Sequence, residues 1–585
     1  MSGIAGLALR QGSSPAAATV QALAAALAHR APDGQGQHVQ GSVALVHRRL
    51  ASMDPTGGGQ PIFAGAAALV ADGVVYNHQA LQAQHQLPCA TASDSEPALH
   101  LYRREGLGFA EHLRGMYAIA IHDRAIRRVV LARDPFGIKP LYLAEVAGGV
   151  AFASEPQALL AAGLLPPRLR PEALHELLQL QFTTGAETIF QGISRVLPGE
   201  TVVLSDGAIT ERRRRDALPE GGPEPVGEAE ALERLDQALA ESAALHLRMA
   251  APCGAFLSGS IDSATVLALM ARHSEAPVLA FTAIFDSAEA PEAQAHAARL
   301  AKAAGARHDC ITVTAAELWR HLPEIVGCMD DPAADYGIIP AWFLARHARE
   351  QVKVVLSGEG GDELFAGHGR YRAARRPWWL GGKTLRARGA FDRLDLLRAP
   401  PTGWRDGVAA AEAAEAGHGR SRLQAAQALD MADWLPNDVL VRLDRCLMAH
   451  GLEGRTPLLD SGVAAAAFRL PDALKVQRHS GKWLLRHWLA DNFPAAEPFR
   501  PRPGVSVPVG AWIAQVADRL APLVAAQPGV AALAKPDRVL PLFRRADEKR
   551  AGFAAWHLLF YALWHRRHIE GRRGEGDVFE VLGER

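Results

Sequence analysis

Cysteine is scarce in this chain, and the five present (Cys89, Cys253, Cys310, Cys328 and Cys446) are scattered, with no C-x-x-C pair. That spacing argues against a disulfide scaffold or a structural zinc site and predicts buried thiols in a reducing compartment. An excess of either charge is lacking too: Lys and Arg total 63, Asp and Glu total 63, and the formal net charge is zero. A zero balance excludes a general pull toward nucleic acid or an acidic membrane face, so any charged substrate must be met locally. No run of about 18 apolar residues occurs, and residues 1–30 hold no basic stretch followed by an apolar one. These absences predict a soluble cytoplasmic protein with no membrane or nucleic-acid partner.

What is present is length and apolar content. A chain of 585 residues, 49% of them hydrophobic, can bury several cores, and its size predicts two domains or more. From Ser2 to about Leu204, short apolar runs such as Val43–Val46, Tyr117–Ile121 and Val129–Ala132 lie between Gly- or Asp-rich turns, the pattern of a strand-rich layered domain. Residues 211–227, ERRRRDALPEGGPEPVG, combine charge with Pro and Gly, and predict a linker or edge loop that buries nothing. Beyond it a helix over Glu228–Arg248, a strand into the turn Gly254–Ser260 and a helix over Ser263–Arg272 follow. Strands at Val278–Phe285 and Val352–Leu356, with a helix at Pro291–Ala304 between them, predict a doubly wound parallel sheet. Past about residue 375 the chain reads as helix.

Chemistry concentrates where strands of the second domain end. FLSGSIDSA (Phe256–Ala264) is a strand, a small-residue turn and a helix start, which aims backbone N–H groups and the positive helix end at one point and suits pyrophosphate. VVLSGEGGDELFAG (Val354–Gly367) is a second strand-to-turn stretch carrying Glu359, Asp362 and Glu363. Carboxylates beside a phosphate cradle call for a cation, and Asp262 with Asp362 form a candidate Mg²⁺ pair, one from each loop.

Together these stretches resemble the asparagine synthetase family. The resemblance extends to Ser2-Gly3-Ile4-Ala5-Gly6, HRAPDGQG (His29–Gly36), HRRL (His47–Leu50) and ARDPFGIKPLY (Ala132–Tyr142). It continues through LDRCLMAHGLEGRTPLLD (Leu443–Asp460), GKWLLR (Gly481–Arg486) and RPRPG (Arg500–Gly504). It implies an α/β protein with an N-terminal-nucleophile-type αββα glutaminase-like domain over residues 1–210. The linker 211–227 would then lead to an ATP pyrophosphatase domain, adenine nucleotide α-hydrolase-like with a helical C-terminal part, over 228–570. The implied chemistry is adenylation of a carboxylate by ATP with Mg²⁺, release of pyrophosphate, and attack of an amine to give an amide. The resemblance assigns Leu257, Ser258, Gly259, Ser260, Asp262, Ser263, Ile284, Ser357 and Gly358 to ATP, Glu359 and Arg502 to the reaction, and Asp262 and Asp362 to the metal.

The first domain departs from the pattern it resembles. The family's nucleophile is the thiol of residue 2, and Ser2 offers a much poorer hydroxyl. The family's Asn-Gly-Glu reads Asp72-Gly73-Val74, so an oxyanion donor, a loss of roughly 10²–10³ in rate, and the partner of glutamine's ammonium are both gone. Arg49 and Asp94 remain, an eroded pocket in which glutamine hydrolysis is absent or vestigial. The nitrogen would then come from elsewhere: an amine internal to the substrate, as in β-lactam synthetases, a peptide amine, as in the lasso-peptide cyclases that the MSGIAG opening resembles, or free ammonia. A pathway protease and a second copy are the expected protein partners. In the second domain Ser260 replaces a glycine, which narrows the backbone's approach to phosphate. Arg502 replaces a lysine, and Val505 and Ser506 alter the acceptor wall. These changes favour a substrate other than aspartate, with a slow enzyme as the alternative. The rivals are an asparagine synthetase and a non-catalytic nucleotide-binding protein. His29, His47 and His78 read as structural, Trp378, Trp379, Trp483 and Trp488 as packing, and Arg212–Arg215 as a solvated loop.

Overall fold

The computed structural model describes residues 2–52, 59–249, 251–288, 290–376, 385–415, 418–478, 480–500 and 507–584. Strands β1 (Ser2–Leu9), β2 (Gly34–Gln40), β3 (Val43–Arg49), β8 (Tyr142–Val146), β9 (Gly149–Ala153) and β10 (Ile193–Arg195) form one sheet in the order β10-β8-β9-β1-β3-β2. A second sheet runs β12-β11-β7-β6-β5-β4, from β4 (Ile62–Ala64), β5 (Ala67–Val75), β6 (Gly115–Asp123), β7 (Arg128–Arg133), β11 (Glu200–Ser205) and β12 (Ala208–Arg214). The period-2 alternation of β1 shows how they stack: Ile4 and Ala8 enter the core between the sheets with Val70, Ala120 and Phe152, while Ala5 and Leu7 face the helix Ala17–Ala26. Helix Glu96–Glu105 covers the second sheet's outer face through Leu99 and Tyr102, completing the αββα layering.

The second domain is built on a parallel sheet, β15-β14-β13-β16-β17, of β13 (Cys253–Phe256), β14 (Leu279–Phe285), β15 (Arg307–Val313), β16 (Val354–Leu356) and β17 (Glu453–Arg455). From β13 the chain winds outward through β14 to β15, then returns to the other side at β16. The boundary between β13 and β16 is thus the switch point of the sheet, where a crevice opens beyond the strand ends. The C-terminal part is helical; its helix Lys549–His568 is buried along nearly its whole length, with Trp556 and Trp564 fully enclosed. No helix among the described residues is long and apolar enough to cross a membrane.

The linker expectation needs correction. Residues 211–214 belong to β12, paired antiparallel with β11, and Arg212 Nη1 lies 2.7 Å from Glu200 Oε1. The segment does bury a side chain, Leu218, in the core of the second domain. An edge strand uses its backbone for pairing and can keep charged side chains in water, so a charge run hides it from a hydrophobic pattern.

The domains are joined by buried ions. Arg30, fully enclosed, pairs with Asp72 at 3.1 Å and Glu155 at 2.8 Å in its own domain and with Asp444 at 2.7 Å in the other. Asp444 also takes Lys139 at 2.7 Å and Arg445 at 2.9 Å, and Arg445 reaches Asp330 at 2.6 Å. Arg195 closes a further pair with Asp331 at 2.7 Å.

Candidate active site

Two loops leave adjacent parallel strands and meet. Beyond β13, Gly259 takes φ +78 and an added Cβ there would sit 2.9 Å from His296 Cδ2, so this turn requires glycine. Ser260 does not: its φ is −71, and its side chain accepts from Ser263 N as the N-cap of helix Ile261–His273. The serine therefore trades phosphate-approach room for a cap, and its hydroxyl joins those of Ser258 and Ser263 at 3.1–3.2 Å around the helix N-terminus. Leu257 and Ile284 are buried beside the turn.

Beyond β16, Ser357, Gly358 and Glu359 lead through Gly360 (φ +89) into the short helix Gly361–Leu364. A Cβ on Gly358 would lie 2.7 Å from Asp262 Cβ, and one on Gly361 2.3 Å from Asp262 Oδ1, so only bare backbone lets the loops approach this closely. Asp262 and Asp362 are brought together around a residue that no sequence expectation assigned: Lys482 Nζ contacts Asp262 Oδ2 and lies 2.8 Å from Asp362 Oδ1. Lys482 is itself buried and held at φ +58 by a backbone bond to Phe365 O. Its signal was the motif GKWLLR, in which the lysine directly precedes a helix that buries Leu484, Leu485, Trp488 and Leu489.

Charge is strained here. Burial, helped by the Asp362 carboxylate and opposed by Lys482, pushes Asp262 up to about 7. Burial works the same way on Asp362, but Lys482 and His368 outweigh it and hold that carboxyl below the usual range. Burial would lower the Lys482 ammonium; the two aspartates raise it instead. Asp262 Oδ1 and Ser357 Oγ are buried without a hydrogen-bond partner, one a carboxylate oxygen and the other a hydroxyl. These residues fit a hard cation and a polyanion: Asp262 and Asp362 could hold Mg²⁺, and the Ser258–Ser263 turn could hold phosphate.

One cavity of about 650 Å³ contains both loops and a second wall. Glu359 faces Arg442 across 3.8 Å, while Arg442 Nη1 lies 2.6 Å from Asp335 Oδ1. Trp434, on a π-helical segment Asp430–Val439, carries the Arg370 guanidinium 4.2 Å above its ring. Gln179 and Gln181 of the first domain complete the lining. Asp335, Trp434 and Gln181 belong to none of the motifs. Arg502, Val505 and Ser506, with Trp378 and Trp379, lie outside the described residues.

In the first domain, Ser2 is tied to Asp72 and Arg30. Ser2 pairs with Arg49 in the β1–β3 register and is buried. Its N–H donates to Asp72 Oδ1 at 2.8 Å, Asp72 Oδ2 accepts from Arg30, and Arg30 Nε donates back to Ser2 O at 3.2 Å. Gly73 takes φ +125, with Met116 O 2.0 Å from where a Cβ would stand. Val74 is enclosed among Ala31, Leu50 and Met116 in an apolar cluster shared with the second domain. Asp94 Oδ2 accepts from Val75 N at 2.8 Å. His47 is buried and burial lowers it to about 3, while His29 pairs with Glu155; neither touches Ser2 through a hydrogen bond.

Comparison with known proteins agrees with this architecture. The family model described as Asparagine synthase matches residues 234–566, and the one described as Glutamine amidotransferase domain matches residues 1–214. A putative asparagine synthetase [glutamine-hydrolyzing] of Mycobacterium tuberculosis is 33% identical, over 93% of this chain and 92% of its own. Asparagine synthetase [glutamine-hydrolyzing] 1 of Bacillus subtilis is 30% identical over 93% of each. Amidase chyE of Penicillium rubens is 29% identical over 59% of this chain and 54% of its own. With the switch-point loops, the layered first domain and these matches in agreement, the chain belongs to the asparagine synthase family of ATP-dependent carbon–nitrogen ligases.

Proposed function

We propose that the protein activates a carboxylate with ATP and joins it to an amine that glutamine does not supply. The observation that carries this reading is a contrast between two sites. At the strand ends of the second domain, Lys482, Asp262, Asp362 and the serine turn converge with unpartnered polar atoms. At Ser2, the corresponding space holds Asp72 and Arg30.

In the proposed reaction a carboxylate oxygen of the substrate attacks the α-phosphorus of ATP; a C–O–P linkage forms and pyrophosphate leaves. The amine then attacks the acyl carbon, the C–O bond to AMP breaks, and a proton is released. Mg²⁺ held by Asp262 and Asp362 would neutralise phosphate charge. Ser258, Ser260 and Ser263 present hydroxyls to the phosphates, and the N-terminus of helix Ile261–His273 adds its dipole. Lys482 supplies a fixed cation where charge builds on the leaving group, an environment prepared before the reaction begins. Glu359 stands between this half and the acceptor wall, facing an incoming amine.

Exchange of labelled pyrophosphate into ATP, driven by a panel of amino acids and of Asp- or Glu-containing peptides, tests the first step. Exchange with one acid and no release of glutamate from glutamine are expected; glutamine hydrolysis at the rate of amide formation would overturn the reading. The names of the relatives favour a second possibility, asparagine made from aspartate. It predicts exchange with aspartate and efficient conversion with ammonium.

A further inference from the structure

The second wall of the cavity is not built by the second domain alone. Helix Pro171–Leu180 of the first domain ends at Gln181, which takes φ +77 and donates its N–H back to Leu177 O. The end of this helix is pinned from three sides. Gln181 O accepts from Ala334 N at 2.7 Å, Gln179 O accepts from Ala390 N at 3.1 Å, and Gln179 Oε1 accepts from Phe391 N at 2.9 Å. The Gln181 amide points both its protons at carboxylates, Asp438 Oδ2 at 2.7 Å and Asp335 Oδ2 at 3.2 Å.

This amide has a task that no motif reveals. Asp438 and Asp335 are neighbouring acids, and burial followed by the Asp335 charge pushes Asp438 up to about 7. Gly337 N donates to Asp335 Oδ1 at 2.5 Å and Trp434 Nε1 to Asp438 Oδ2 at 2.7 Å, and the neutral amide of Gln181 is the donor that ties the two carboxylates to each other, without cancelling either charge. Asp335 so held takes Arg442 at 2.6 Å, and Arg442 remains 3.8 Å from Glu359. Were the Asp335 carboxylate to turn away, Arg442 would lean more on its other acidic neighbours, Glu359 at 3.8 Å and Asp438, and would draw nearer to Glu359. Glu359 would then meet an incoming amine as half of an ion pair.

We infer that Gln181 is a positioning residue for the amide-forming step, acting from the first domain through Asp335 and Arg442 to keep the Glu359 carboxylate available to a cationic amine. The inference rests on the proposed two-step reaction, and it gives the eroded first domain a part in the chemistry of the second.

The two half-reactions separate it from a merely structural role. The acid that drives the strongest pyrophosphate exchange in the panel supplies the carboxylate; methylammonium and hydroxylamine, the latter uncharged at neutral pH, supply the nitrogen. Gln181→Leu should keep carboxylate-dependent exchange within about threefold of wild type and lose at least about tenfold in amide formation with methylammonium, while hydroxamate formation is largely spared. Gln181→Glu, of equal size but adding a third carboxylate, should show the same split and recover partly as pH falls. Asp335→Asn, one link further along, should reproduce it, and serves if Gln181→Leu does not fold. A parallel fall in exchange and amide formation, or amide formation unchanged in all three, overturns the inference while leaving the reaction standing. Wild-type protein that exchanges no pyrophosphate with any acid overturns both.

Discussion

At the scale of single residues, Ser2 stands against the Asp72 carboxylate, to which its N–H donates. Ser2→Cys puts a thiol beside the Asp72 carboxylate, and a thiolate there would form against a like charge. We expect no glutamate release from glutamine by Ser2→Cys, measured with and without ATP and Mg²⁺; full recovery by that one change would show that Asp72 and Val74 are innocent. Lys482 supports a different expectation. Lys482→Met should lower pyrophosphate exchange by roughly 10²–10³, the usual loss when one preorganised charge is removed from a transition state. It should also leave Asp262 and Asp362 facing each other without the ammonium they share, so that added Mg²⁺ raises the melting temperature of the variant more than that of wild type. An equal Mg²⁺ shift in both would remove the two aspartates from the metal site.

At the scale of elements, the buried ion chain between the domains should behave as one unit. Asp444→Ala would take from Arg30, Lys139 and Arg445 the one carboxylate they share, and breaking a buried pair by removing one partner costs about 3–5 kcal/mol. Denaturant unfolding should show this as an early transition; a curve that overlays wild type would mean that water reaches these charges. What was legible in the sequence divides along the same lines. β13, β14 and β16 were visible because buried parallel strands read as apolar runs bounded by small-residue turns. β12 hid behind Arg212–Arg214, β15 behind its polar opening Arg307-His308-Asp309, and β17 within three residues of a longer motif. The π-helical turn around Trp434 had no signal, since its spacing differs from an α-helix by only one residue per turn. Asp262 and Asp362 were readable because each sits in a strand-to-turn motif. Gln181 and Asp335 were not, because their role arises only when two domains dock.

Across the whole molecule, the buried histidines set a limit on acid tolerance. Burial lowers His246 and His557 to about 4 and His568 to about 3, against about 6.5 in the unfolded chain. Between those values the unfolded state binds protons that the folded state refuses, so stability is full above about pH 6.5 and is lost as pH falls toward 4. Thermal melts from pH 7.5 to 4.5 should fall most steeply below 6.5, and His557→Gln should flatten part of that slope; an unchanged slope would place the acid sensitivity in the carboxylates. Lys475 acts at the other end. Burial lowers it to about 7, so the unfolded chain holds its proton longer, and stability should rise between pH 7 and 10 in wild type but less in Lys475→Met.

The charges shared by Arg30, Asp444 and Lys139 also bear on inheritance. A deletion that discarded the first 214 residues would take Arg30 and Lys139 from Asp444 and Arg195 from Asp331, leaving Arg445 to share between the buried Asp444 and Asp330. A gene carrying this enzyme can change Ser2 or Val74 one codon at a time more easily than it can shed the domain that supplies those cations.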